Sequence, residues 1–478
     1  MTSSTLLRKL REICGANFLL EDRASLFAYE SDALTLFRSK PLCVALPGTH
    51  EELIQCVCAL HEAKVPFAAR GAGTGLSGGA LVPPGGVILA LSRLNRILEI
   101  HPEEGWALVE PGVVNATLSR EAKQYGLQFA PDPASQSVCT VGGNAAENSG
   151  GPHCFLHGMT TQHVQFLEVI LPNGEVETWG SPTSSEDDLD LRGFFLGSEG
   201  SVAIASKLGL RLIPLPQDTQ TWLTAYTSME DACCTVSEIV AEGLQPAAME
   251  VMDKQAIQAV EASVYRCGLP TEAAAVLLVE LEGHPSVLLR DSPSIEKILN
   301  KRTPLSFEKA QSKKERIALW KGRKGAGGAL GRLAPDSYVM DGVVPRSKLA
   351  EIMAYVLEVQ SETGLPVANL FHAGDGNIHP HFSYDARSPE QVQLVEEAGA
   401  KILKRCLELG GSLSGEHGIG LEKEALLDLQ FDEATLSFME RMRSVFNPED
   451  TLNPGKGLPL GKACAEAFHR HRGSSQPQ

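Results

Sequence analysis

No run of about 18 apolar residues occurs anywhere in the chain, so no segment is expected to span a bilayer as a helix. Basic residues are the minority: 42 Lys and Arg stand against 59 Asp and Glu, a net charge of −17. That shortage disfavours nucleic acid as a partner, because a phosphate backbone needs a positive field. It leaves room for a local basic pocket around a small anion. The eleven cysteines include no C-x-x-C pair; the nearest neighbours are Cys56/Cys58 and Cys233/Cys234. Neither a zinc ribbon nor an iron–sulfur cluster has its ligands, and reduced thiols in a cytoplasm are the simplest expectation. No repeat of solenoid period is found. The opening stretch carries Glu12, Glu21 and Asp22 where a secretory signal needs an apolar core, so none is expected. What is present is ordinary for a folded protein: 43% of residues are hydrophobic, and 478 residues are too many for one core. Two or more domains follow.

The first half opens as a βαβ unit. Residues 42–46 and 65–70 read as strands. Between them Thr49 is a helix N-cap with Glu52 three residues on, and Leu53, Ile54, Val57 and Leu60 form a helical stripe. Strands are expected at 87–91, 97–101 and 106–110, a loop over 131–151, and a hairpin of 165–171 and 174–179 about Asn173-Gly174. The rhythm changes after Pro214 and Pro216. Strands at 221–227, 246–251, 275–282, 337–343, 367–371 and 378–384 then alternate with helices at 229–242, 346–363 and 388–409. The last helix has Ser388 as N-cap, Pro389 at its first position and Gln391 completing the box, with Gly410 and Gly411 ending it. This half reads as α+β, with helices on one face of an antiparallel sheet.

Gly73, Gly75 and Gly78 fit the spacing G-x-G-x-x-G after a strand. A dinucleotide fingerprint also needs a helix directly afterwards, and GALVPPGGV cannot form one. A Rossmann site is therefore rejected. Successive backbone N–H groups in RGAGTGLSGG, residues 70–79, can still form a nest around phosphate, with glycines permitting close approach. A flexible surface loop is the plain alternative.

HAGDGNIHPH, residues 372–381, holds His372, Asp375, His379 and His381. A strand ending at His372, a turn over 373–377 and a strand from 378 bring His372 toward His379, while His379, His381 and Ser383 share one face. SGEHGIG, residues 414–420, offers Glu416 as a third ligand beside His417. Two imidazoles and a carboxylate leave coordination positions open for a substrate. A solvated turn whose imidazoles bond the backbone is the alternative. Residues 316–332 gather Arg316, Lys321, Arg323, Lys324 and Arg332, which alone read as a solvated helix face.

RGAGTGLSGG, PDPAS at 131–135, TVGGNAAENSGG at 140–151 and GSEGSVAI at 197–204 occur in an order that resembles the vanillyl-alcohol oxidase/p-cresol methylhydroxylase (PCMH-type FAD) family. The nearest branch is that of the FAD-linked D-2-hydroxyacid dehydrogenases, which includes the FAD subunit of bacterial glycolate oxidase and D-lactate dehydrogenase. The resemblance runs from about residue 20 to residue 457. It implies an α+β protein with a two-part PCMH-type FAD-binding domain, an antiparallel-sheet substrate (cap) domain and a C-terminal helical segment returning to the flavin. The implied boundaries are an N-terminal helical segment at 1–36, the FAD domain at 37–216, the substrate domain at 217–457 and a flexible tail at 458–478.

By the same resemblance the FAD pyrophosphate falls to Arg70, Gly71, Ala72, Gly73, Thr74, Gly75, Leu76 and Ser77. The ring falls to Pro131, Asp132 and Ser135, to Gly142, Gly143, Asn144, Asn148, Gly150 and Gly151, and to Glu199, Gly200 and Ile204. Asn453 and Lys456 match the returning segment, with Lys456 near the reduced ring. Some relatives attach FAD through a histidine where this chain has Ala72, so noncovalent FAD is implied. Ala203 stands where a glycine is usual. A divalent metal (Zn, Mn or Fe) is implied at His372, His379 and Glu416, with His417 as catalytic base. Arg323 matches an arginine that binds the substrate carboxylate, and its planar fork suits that task. His381 falls at a substrate-contacting position. Gly327 and Val339 stand where the hydroxyglutarate enzymes grip a second carboxylate, which implies a short monocarboxylate, glycolate or D-lactate.

The implied reaction is oxidation of a small 2-hydroxyacid with hydride transfer to flavin. Electrons then leave to an acceptor partner: an iron–sulfur subunit, a quinone or another carrier. Nucleic acid is not an expected partner, and a homo-oligomer is left open. The expected location is cytoplasmic, with peripheral membrane attachment through the acceptor as an alternative. Two rival readings stay open at this point, a flavin electron-relay subunit and a metal-dependent hydrolase without flavin.

Overall fold

The computed structural model describes residues 2–182 and 189–457; the expected tail at 458–478 lies outside the described residues. The chain forms two compact units. Of the described residues, one unit holds those before Gly150, Met159–Leu215 and 417–457; the other holds Gly150–Gly158 and Pro216–Glu416.

The first unit carries two sheets. In one, strands Leu19–Leu20, Cys43–Ala45, Val87–Ala90 and Phe67–Arg70 lie in that order, the last three parallel. Helix His50–Ala63 makes the crossover. The Thr49 hydroxyl accepts the Glu52 N–H, and the Glu52 carboxylate reaches back to the N–H of Gly48 rather than of Thr49. Leu53, Val57 and Leu60 are fully buried, and Leu6 and Leu10 of helix Ser3–Cys14 join the same core. After Arg70 no helix forms before Val87, which is why the Rossmann geometry fails. Residues Thr451–Asn453 return beside this sheet: Phe67 donates to Thr451 O at 2.8 Å and accepts from Asn453 N at 2.6 Å.

The second sheet is antiparallel, in the order Ile97–His101, Trp106–Val109, Ile204–Arg211, Val164–Ile170, Val176–Gly180. The Asn173-Gly174 turn joins the last pair, with Gly174 at φ +91°. One element departs from expectation: helix Val141–Glu147 forms inside the stretch read as loop, capped by the Thr140 hydroxyl, which accepts the Gly143 N–H at 3.3 Å.

The second unit is built on an antiparallel sheet. Strands Ser306–Lys309, Asp218–Tyr226, Ala275–Gly283, Ala248–Asp253 and Val367–His372 follow in order, with short strands beyond. Helices Met229–Ala241, Leu349–Thr363 and Pro389–Glu408 match expected ones. Ser388 caps the last, its hydroxyl accepting the Gln391 N–H. Helices cover both faces of the sheet, not one. The Trp222 indole donates to Glu296 of helix Pro285–Asn300, while the adjacent Thr221 donates to Glu280, which also takes the Trp320 indole N–H from helix Lys313–Leu330. Consecutive strand residues face opposite ways. A strand such as AVLLVEL, buried along its length, has no solvent face to leave bare. The extra helices escaped the pattern because Pro293 interrupts one and Gly322, Gly325, Gly327 and Gly328 weaken the other. Gly325 is required by packing: a Cβ there would lie 2.2 Å from the Tyr265 ring. Among the described residues no helix is long and apolar enough to cross a membrane.

Candidate active site

In the second unit, strand Val367–His372 delivers His372 directly opposite Glu250 on strand Ala248–Asp253. Directly opposite residues share a face, and the His372 Nδ1–H reaches Glu250 Oε1 at 2.7 Å. The turn that follows needs Gly376: its φ is +84°, and a Cβ would sit 2.1 Å from Val344 O. Beyond the turn His379 lies between two short strands, its Nδ1 3.0 Å from Met340 O. The rings of His372 and His379 are 5.1 Å apart and nearly perpendicular. Each imidazole thus has Nδ1 committed and presents Nε2 inward.

Glu416 completes the convergence. His372 Nε2 is 3.4 Å and His379 Nε2 3.3 Å from Glu416 Oε1. The segment bearing Glu416 is fixed by buried Asp341, which accepts the Ser414 hydroxyl at 2.6 Å, the Gly415 N–H at 3.1 Å and the Glu416 N–H at 3.0 Å. Gly415 has no room for a side chain, since a Cβ would meet Asn377 at 2.5 Å. Gly150, assigned to flavin by resemblance, lies against this carboxylate: a Cβ there would be 2.7 Å from Glu416 Oε2. Burial works against a charged His372, yet Glu250 and Glu416 push it well above the usual histidine value. Burial would likewise raise Glu416, but the two imidazoles hold it well below the carboxylate range. Burial lifts nearby Asp375 to about 6. Two inward Nε2 atoms and one ionised carboxylate are a donor set suited to a divalent cation.

Arg323, on helix Lys313–Leu330, is 6% exposed, and its Nη2 lies 2.6 Å from Glu250 Oε2. Its buried Nε has no hydrogen-bond partner among the described residues. His381 stands opposite Ala368 and Val339, on the sheet face that His372 shares. Gly327 is exposed. Sequence reasoning missed Glu250 and Asp341. The available signal was a lone acid in each of two apolar stretches, AMEVM and YVMDG.

The first unit holds the other expected residues. Among the described residues no backbone N–H from Ala72 to Ser77 donates to a backbone carbonyl, and the buried Ser77 hydroxyl has no partner. Gly73 at φ +70° and Gly78 at φ +78° shape this loop. A row of unmet N–H groups is a cradle for phosphate oxygens. The Arg70 guanidinium turns instead to brace the chain before it, donating to Ser31 O at 2.8 Å. The loop abuts helix Val141–Glu147, where a Cβ on Gly71 would strike the Thr140 hydroxyl at 2.3 Å. Asn144 is buried, and the Asn148 side chain accepts the Thr161 N–H at 2.9 Å. Pro131 O accepts the Asn115 amide, and Ser135 O accepts the N–H of Cys139. Ile204 begins its strand after fully buried Ala203.

Glu199, in a left-handed conformation before Gly200, accepts the N–H of Ile419 at 2.6 Å and of Gly420 at 2.8 Å. It thereby fixes the chain just after His417, which is half-buried. Its own carbonyl accepts the Asn453 amide. Lys456 donates to Gly79 O at 2.8 Å, to Asn453 Oδ1 at 2.5 Å and to Leu81 O, so its ammonium clasps the end of the glycine loop. Burial draws Lys456 down to about 7.

Residues 41–180 match the family of FAD binding domains, and residues 215–457 match the C-terminal domain of FAD linked oxidases. The chain is an FAD-linked oxidase family member. The glycolate oxidase subunit GlcD of Escherichia coli strain K12 is 39% identical over 472 residues, spanning 98% of this chain and 94% of that one. The D-lactate dehydrogenase of Anaerostipes hadrus is 30% identical over 463 residues, spanning 94% and 96%. Among solved structures, substrate-bound p-cresol methylhydroxylase superposes with a TM-score of 0.81 at 16% identity, covering 96% of this chain and 97% of that one. The 4-ethylphenol oxidase of Gulosibacter chungangensis gives 0.80 at 17% identity, covering 96% and 98%. The fold is PCMH-type, the cofactor is FAD, and the protein is an oxidoreductase.

Proposed function

We propose that this oxidoreductase oxidises a short D-2-hydroxyacid, glycolate or D-lactate, to glyoxylate or pyruvate, with a divalent cation held by His372, His379 and Glu416. The observation that carries the reading is the convergence of two imidazole Nε2 atoms on one Glu416 oxygen, with both Nδ1 atoms already committed. A bound divalent cation makes a hydroxyl in contact with it more acidic. Bound FAD supplies the two-electron acceptor. The chain's own residues do the rest. Arg323 orients the substrate through its carboxylate, using the buried Nε that lacks a partner. His417 takes the hydroxyl proton as general base. His381 borders the substrate, and neither Gly327 nor Val339 offers a cation to a second carboxylate.

The nest at Ala72–Ser77 holds the FAD phosphates, and Ala72 provides no atom for a covalent link. Pro131, Asp132, Ser135, Gly142, Gly143, Asn144, Asn148, Gly151, Glu199, Gly200 and Ile204 line or support the rest of the cofactor. Electrons leave to a separate acceptor, an iron–sulfur subunit, a quinone or another carrier, because no C-x-x-C set is present to hold a cluster. The relatives named for glycolate and D-lactate support the substrate class. Anaerobic titration of the holoprotein, followed in the visible flavin band, tests it. Bleaching by glycolate or D-lactate, but not by D-2-hydroxyglutarate or L-lactate, is expected. A flavin left oxidised by both short acids would overturn the assignment.

A further inference from the structure

We propose that Glu250 is a positioning residue that sets the cation ligand His372 and the carboxylate clamp Arg323 in register with one another. The inference rests on the cation and clamp roles proposed above. Glu250 is 1% exposed in a strand that is otherwise apolar up to Asp253, so its charge persists only if fully matched. Each oxygen faces a different functional group, Oε1 through a hydrogen bond and Oε2 through an ion-pair contact. Oε1 accepts the His372 Nδ1–H at 2.7 Å, and Oε2 meets Arg323 Nη2 at 2.6 Å. These partners come from different elements, a neighbouring strand and a helix lying over the same face.

One carboxylate therefore indexes two groups that act on the two ends of a 2-hydroxyacid. On the His372 side it fixes the tautomer, leaves the Nε2 lone pair inward and makes the imidazole a better donor. On the Arg323 side it pins one corner of the guanidinium and leaves Nε for an incoming carboxylate. Its negative charge also offsets the guanidinium, which otherwise repels a cation held nearby. Glutamine at this position cannot serve both neighbours. Its carbonyl can accept from His372, but its amide N–H₂ then opposes the N–H₂ of Arg323.

The test compares chelator-stripped, flavin-loaded wild type, Glu250→Gln and His372→Ala. Mn²⁺ affinity is read by titration calorimetry, and the half-saturating acid concentration by stopped-flow flavin reduction. Glu250→Gln is expected to weaken Mn²⁺ by about tenfold to a hundredfold, although Glu250 is not itself a proposed ligand. It is also expected to raise the half-saturating concentration with flavin still bound, and to lower the melting temperature because the buried Arg323 loses its counter-charge. If Glu250→Gln does not retain flavin, Glu250→Asp, which keeps the charge on a shorter arm, carries the same comparison. Wild-type binding abolished in His372→Ala but unaltered in the Glu250 variant would overturn the register role and leave the cation site standing. Wild type that binds no Mn²⁺, or binds it equally in His372→Ala, would overturn the cation site and the inference together.

Discussion

His372 and His379 present the same ring nitrogen to Glu416 because their other nitrogens are occupied, by Glu250 and by Met340 O. That His372, His379 and Glu416 could meet was suggested by the strand–turn–strand of 367–384 and the glycines about Glu416, with a solvated turn as the alternative; the metal role came only from the resemblance. Glu250 was not legible: it lies 122 residues from His372 in sequence, and only the strand pairing shows that the two meet. The same holds for the Asp341 carboxylate that fixes Ser414–Glu416. Arg323 was legible by resemblance alone, because its helix is weakened by glycines. Arg323→Lys is expected to raise KM for the acid at least tenfold with a smaller fall in kcat. An ammonium cannot hold Glu250 and a substrate carboxylate in the guanidinium's fixed geometry. Steady-state kinetics with an artificial acceptor measures both, and an unchanged KM would contradict the clamp.

At the scale of elements, the patterned ones were readable. Helix Pro389–Glu408 begins at its expected cap, and the hairpin about Asn173-Gly174 turns where its dipeptide says. Glycine-rich helices were not readable, because composition argues against them while packing and caps decide otherwise. Val141–Glu147 is held by Thr140, and Lys313–Leu330 by the fit of Tyr265 against Gly325. That second helix is also tied to the sheet through Glu280, which accepts from Arg316 Nε at 2.8 Å and from the Trp320 indole at 2.6 Å, with His153 Nε2 at 3.3 Å. Burial alone would raise Glu280, but His153 and Arg316 reverse that and bring it to about 2 from an ordinary 4.5. A carboxyl lowered on folding stabilises fully above its unfolded value and loses that contribution as pH falls toward its folded value. Stability is therefore expected to decline between pH 4.5 and about 2 on this account. Urea midpoints measured across that window should fall more steeply for wild type than for Glu280→Gln; equal slopes would contradict the assignment.

For the molecule as a whole, the chain passes between its two units four times, at residues 149/150, 158/159, 215/216 and 416/417. The last passage falls between Glu416 and His417. Sequence pattern marked the change of rhythm near Pro214 and Pro216. It gave no sign that residues 417–457 pack with Met159–Leu215 and the residues before Gly150. Those contacts, such as Glu199 with Ile419 and Gly420, join residues about 220 apart. The account joins a flavin, a divalent cation and a short hydroxyacid in one reaction. The measurement that tests this most directly is anaerobic stopped-flow reduction of the flavin by the better of glycolate and D-lactate, before chelation, after it, and after a divalent ion is returned. The account predicts fast bleaching, its loss on chelation with the flavin still bound, and its recovery with the ion. Bleaching at an undiminished rate in protein shown by elemental analysis to hold no divalent metal would contradict it.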